Sequence, residues 1–115
     1  MITTANTTGR PSLILLTVTI AGYKPFDDAV TIATSKGIHV VVAAGDTNVD
    51  ASTVSPARAA AAVTVGAITS SGTKLSTSNF GSAVDIWGPG ANARTAWITS
   101  TTASVNLVGT TASAA

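Results

Sequence analysis

The chain has 115 residues, of which 45% are hydrophobic and 10% charged, with a net charge of +1 at pH 7 and no cysteine. That length makes one domain, and that charge offers no electrostatic case for nucleic acid or an anionic membrane as partner. Disulfides and thiolate metal sites are excluded, and no apolar run reaches the ~18 residues a membrane-spanning helix needs.

The opening stretch, MITTANTTGR, reads as a polar arm over residues 1–11 that cannot serve as a signal peptide. A single α/β domain is expected over residues 12–115. SLILLTVTI, residues 12–20, is apolar and β-branched. That pattern predicts a strand buried on both faces, as in a parallel sheet. Gly22 and Pro25 punctuate it. Phe26, Ala29, Val30 and Ala33 then follow the spacing of one helix face. Asp27 and Asp28 suit the first turn, Lys36 the last, and Gly37 the C-cap.

IHVVVAA, residues 38–44, predicts a second buried strand, with His39 inside it, and completes a βαβ unit. A polar loop follows over residues 45–58. AAVTVGAI, residues 61–68, is a third strand, and AVDIWGPG, residues 83–90, is a fourth extended piece stopped by Gly-Pro-Gly. ARTAWI and SVNLVG read as a C-terminal hairpin. Trp87 and Trp97 read as core fillers in a chain this poor in aromatics. Sites in such sheets belong at the C-terminal ends of the strands. Those ends open onto loops 21–25, 45–58 and 69–81.

VVVAAGDTNVDASTVSPA, VTVGAI, STSNFGSAVDIWGPG and VGTTASAA occur in this order. Together they resemble the C-terminal half of the catalytic domain of subtilisin-like serine proteases (peptidase S8), most of all the proteinase K-like fungal branch. The resemblance implies a secreted protein, a partial subtilisin-like α/β fold, and an Asp, His, Ser triad. The family's Asp and His motifs have no counterpart among these residues.

Its nucleophile motif, Gly-Thr-Ser-Met-Ala-Thr-Pro, aligns with Gly109, Thr110 and Thr111, then Ala112, Ser113, Ala114 and Ala115. Thr111 therefore takes the nucleophile position, and a threonine hydroxyl there still needs a base. Ser113 lies outside the motif frame. The family's oxyanion motif ends in an Asn donor, whereas here Ala43, Ala44 and Gly45 lead to Asp46. A carboxylate accepts hydrogen bonds and repels an oxyanion. The alternative reading makes Asp46 a turn residue that caps local amides. In the family's substrate cleft a glycine-rich segment pairs with substrate as an extra strand. Val18, Thr19, Ile20, Ala21 and Gly22 align with it, and Ile20 replaces a glycine and narrows the cleft.

The resemblance also implies a calcium site, with Asp85 as carboxylate and Ala60 and Ala62 as carbonyl ligands. Against it stands a plain hydrogen bond from a turn to Asp85. Three functions follow. The first is a non-catalytic protease-derived domain acting by binding. The second is a serine endopeptidase fragment whose Asp and His come from elsewhere. The third is a structural or engineered fragment. An apolar strand at a sheet edge, and a sheet face without cover, point to a homodimer.

Overall fold

A computed structural model describes residues 2–115. The expected mixed α/β fold is present. β1 (Leu13–Leu16), β3 (His39–Ala43), β5 (Val63–Ile68) and β6 (Ile86–Pro89) form one sheet in the order β1-β3-β5-β6. All of its pairings are parallel. β2 (Ile20–Ala21) leaves that sheet and pairs antiparallel with β4 (Val54–Ser55). The expected hairpin forms from β7 (Ala93–Ala96) and β8 (Ser104–Leu107).

α2 (Lys24–Ser35) links β1 to β3 and lays Val30 and Ala33 on the sheet. Pro25 stands in its first turn, where its missing N–H costs nothing. Lys36 is the C-cap, and its N–H bonds the Ala33 carbonyl. Gly37 follows at φ 78°, the left-handed geometry of a helix stop. Val30, Ala33, Val40, Val42, Ala59 and Ala62 form the core, with Ile14 and Leu16 packed against it.

Several expectations are corrected. The strand predicted over residues 12–20 ends at Leu16, and its side chains alternate between exposed and half-buried. β1 is an edge strand with only one face packed, so it cannot bury both. His39 is exposed, because it opens β3 at the rim of the sheet. Trp87 and Trp97 are both substantially exposed. Trp87 instead lies across Gly66, where an added Cβ would stand 2.6 Å from its ring. The polar arm contains a helix, α1 (Ile2–Thr8), with Thr7 and Thr8 hydroxyls bonded back to carbonyls one turn earlier. The loop over residues 45–58 is not irregular throughout. It holds a 3-10 turn at Ala51–Thr53, capped by the Asp50 carboxylate through the Ser52 N–H, and then β4. Among the described residues no helix is long and apolar enough to cross a membrane.

Candidate functional site

β3 ends at Ala43, and the chain continues through Ala44 and Gly45 to Asp46. Ala43, Ala44 and Gly45 are buried, whereas Asp46 is exposed. Beside them the chain re-enters from β8 and turns at Gly109 into a last short helix, α3 (Thr110–Ala114). Gly109 adopts φ 134°, and a Cβ there would stand 2.7 Å from Asp46 Oδ2. Only glycine fits this approach.

The two loops are joined by hydrogen bonds. The Thr110 N–H donates to Asp46 Oδ1 at 2.9 Å and to Oδ2 at 3.2 Å. The buried Thr110 hydroxyl donates to Asp46 Oδ2 at 3.2 Å and accepts from the Gly45 N–H at 3.1 Å. Asp46 thus caps one amide, that of Thr110. The amide belongs to a helix 64 positions away rather than to its own loop. The negative charge stands at the helix's positive end, where it is stabilising.

Thr111 is exposed, and its hydroxyl points to the Thr17 carbonyl at 3.5 Å, the outer limit of a hydrogen bond. Ser113 bonds back to the Gly109 carbonyl at 3.3 Å, within its own helix. His39, the only histidine, begins β3, whereas the Thr111 loop meets the other end of that strand. The four intervening steps span about 13 Å of strand. The imidazole therefore cannot reach the Thr111 hydroxyl. Both Asp46 oxygens accept from Thr110, whereas the Thr111 hydroxyl is directed to Thr17.

The residues expected to line a cleft run beside these loops. Thr17, Val18 and Thr19 connect β1 to β2; Val18 is exposed and Thr19 half-buried against Gly45. Ile20 stands opposite Ser55 and Ala21 opposite Val54. One edge of the two-residue β2 is thereby occupied by the chain's own β4.

Sequence reasoning passed over Asn79. Its side chain is fully buried. Its Nδ2 donates to the Ala44 carbonyl at 2.8 Å. Its Oδ1 accepts from the Thr47 N–H at 3.1 Å, the Thr47 hydroxyl at 3.1 Å and the Val49 N–H at 3.0 Å. Its own N–H donates to the Gly45 carbonyl at 2.8 Å. Asn79 therefore fixes the loop that carries Asp46. The available signal was its place in SNFG, an amide residue beside an aromatic in a loop that faces the 45–58 loop.

Asp85 Oδ2 accepts from the Thr64 N–H at 2.8 Å. Asp85 and Ala60 line one cavity of about 180 Å³, together with Arg58 and Ser82. Ala62 is buried outside that lining. Arg58 is turned towards Asp27, with Nε 2.7 Å from Oδ2. Among the described residues no group of three or more His, Cys, Asp or Glu side chains gathers. One carboxylate and Ala60, without Ala62, make a sparse set for calcium, a hard cation that takes ~6–8 oxygens.

Residues 9–115 match the Peptidase S8 subtilase family. The chain belongs to that family. It is 52% identical over 85 residues to "Alkaline protease 1" of Emericella nidulans, covering 74% of this chain and 21% of that protein. It is 43% identical over 101 residues to an "Extracellular serine proteinase" of Thermus sp., covering 88% of this chain and 25% of that protein. Among solved structures, a cold adapted subtilisin-like serine proteinase superposes with a TM-score of 0.86 at 36% identity, over 90% of this chain and 37% of that one. This subtilase chain therefore spans a quarter or less of the curated relatives just named.

Proposed function

We propose that this subtilase chain, by itself, is non-catalytic and acts by binding. The observation that carries the reading is the Asp46 carboxylate, bonded to the Thr110 N–H and hydroxyl at 2.9–3.2 Å. At the oxyanion position catalysis needs a donor, and here there is an acceptor turned onto the nucleophile loop. Removing a neutral donor from an oxyanion hole costs about 10²–10³ in rate, a figure measured in a subtilisin. A carboxylate adds repulsion to that loss. The only imidazole stands at the far end of β3.

A second reading is supported by the placement of Thr111 in the first turn of α3, beside the end of β3. On that reading the residues are one part of a serine endopeptidase, completed by Asp and His from elsewhere. The test treats the purified chain with a fluorophosphonate probe and a fluorogenic peptide. No labelling and no hydrolysis is expected. Labelling that appears only after a segment bearing the Asp and His motifs is added favours the second reading. Weak calcium binding at Asp85 and Ala60 is part of the proposal and would serve stability.

A further inference from the structure

The loop that carries Asp46 is also tied to the 69–81 loop through a cation. The Asn48 N–H donates to the Thr77 carbonyl at 2.8 Å. Asn48 stands at φ 53°, the left-handed region that Asn tolerates better than most residues. Its Oδ1 accepts from the Lys74 ammonium at 2.9 Å. The same ammonium donates to the Leu75 carbonyl at 3.1 Å and to the Ser78 carbonyl at 2.9 Å. Three acceptors use all three ammonium protons. The Phe80 ring centroid lies 5.6 Å from Nζ, within the range of a cation–π contact. Two of these oxygens are fixed without the lysine. The Leu75 N–H bonds the Ala67 carbonyl, and the Ser78 N–H bonds the Leu75 carbonyl. The Ser78 hydroxyl accepts from the Ala67 N–H at 3.0 Å and donates to the Asn79 carbonyl at 2.9 Å. Leu75 and Ser78 are both buried. No carboxylate takes part: among the described residues the ion pairs are Lys24 with Asp28 and Arg58 with Asp27. Lys74 is thus held on neutral oxygens and a ring face, as a free cation in a cage would be.

We propose that Asn48, Leu75, Ser78 and Phe80 form a site for a small monovalent cation of the ammonium class, with Lys74 as its built-in occupant. The chemistry selects that class. A divalent ion such as calcium relies on carboxylates, and this cage has none. An ammonium is a compact charge with rotatable donors, which suits three separate oxygens, whereas the planar fork of a guanidinium does not. The occupant bridges a turn anchored on β5 to Asn48, two positions from Asp46. Lys74 is therefore a positioning residue. It does not touch the contact between Asp46 and Thr110, but it holds the loop that presents Asp46. Removing its side chain leaves the two anchored carbonyls in place. Lys74 is exposed as a residue, so a free cation can reach the cage from solvent. The piece that Lys74→Ala removes is n-propylammonium, which is the natural probe of the emptied site.

This goes beyond the non-catalytic reading and is read out by amide exchange rather than by hydrolysis, so either can fail alone. Exchange of the Asn48 N–H is followed in the parent chain, in Lys74→Ala and in Lys74→Met. Each is measured in n-propylammonium, ammonium and tetramethylammonium chloride at equal ionic strength. The parent, whose cage is filled, should respond alike to all three salts. In Lys74→Ala, protection at Asn48 should fall by about tenfold, the effect of one hydrogen bond to a charged group. n-Propylammonium should restore it. Tetramethylammonium, which has no N–H donor, should not. Lys74→Met keeps most of the apolar stem and lacks the charged head, so there the small ammonium ion should restore protection. If Lys74→Ala does not fold, Lys74→Met with ammonium decides alone. Undiminished protection at Asn48 in the variants overturns the proposal. So does a loss that no ammonium restores in either variant, or one that tetramethylammonium restores equally well, since that is screening.

Discussion

Asp46 and Thr110 close the two loops of the site onto each other, with the carboxylate taking both the N–H and the hydroxyl of the threonine. The contact joins the end of β3 to the start of α3. α3 has five residues, too few to hold a helix on propensity alone. Its order therefore depends on this cap and on packing against the sheet. Asp46→Ala should cost about 1–2 kcal/mol, the range of a lost N-cap with a charged acceptor. Asp46→Asn, which keeps one acceptor oxygen and loses the charge, should cost less. Urea unfolding midpoints of the three chains decide the matter, and an Asp46→Ala midpoint equal to the parent's would remove the capping role.

Asn79 should matter more than Asp46, because it is buried with every polar atom bonded. Asn79→Ala strands the Thr47 and Val49 N–H groups and the Ala44 carbonyl. The expected loss is on the order of 3 kcal/mol. Gly45→Ala should be of similar severity. Gly45 sits at φ 103°, and an added Cβ runs into the Asn79 amide. Amide exchange supplies the check: in Asn79→Ala the N–H groups of Thr47 and Val49 should lose protection before the rest of the chain does. Protection that fell evenly everywhere would assign Asn79 to global stability instead.

The sheet was legible because β3 and β5 are rich in Val and Ala, which read the same way at any depth of burial. The helix was legible from Val30 and Ala33 at one face and Gly37 at its end. β1 misled because an apolar run does not say whether a neighbour exists. LILL reads as a central strand and stands at an edge. His39 misled for the same reason, being the first residue of its strand rather than a middle one. At the site, the identities of Thr111 and Asp46 could be read, but not the bond between Asp46 and Thr110. A contact across 64 positions has no local period to betray it. Asn79 was missed on similar grounds, as its partners lie 30 to 35 residues away.

Repairing the two visible departures should not create a protease. Thr111→Ser with Asp46→Asn restores the family's residue types at nucleophile and oxyanion positions. It supplies no base, because His39 stays at the opposite end of β3. Subtilases deprived of triad members keep only residual catalysis over water. The double variant should therefore remain unlabelled by a fluorophosphonate after prolonged exposure, as read by intact mass. Stoichiometric labelling lost on Thr111→Ala would show that a base is present after all.

Calcium should raise the melting temperature slightly, and only through Asp85. One oxygen of that carboxylate is bonded to the Thr64 N–H, which leaves the other for an ion in the cavity shared with Ala60. Arg58 lines the same cavity and opposes a cation there, although its pairing with Asp27 holds the guanidinium aside. A single carboxylate makes a weak site, so stabilisation follows mass action, growing with the logarithm of calcium once the site is filling. Sodium at equal ionic strength should give no such shift, because screening alone does not discriminate between the ions. Asp85→Asn should abolish the shift while retaining an acceptor for Thr64, and Asp27→Asn should reduce it by releasing Arg58 into the cavity. A thermal scan of the three chains against calcium reads all of this at once. A shift that persists in Asp85→Asn would place the ion elsewhere, and no shift in the parent would leave Asp85 as a hydrogen-bond acceptor alone.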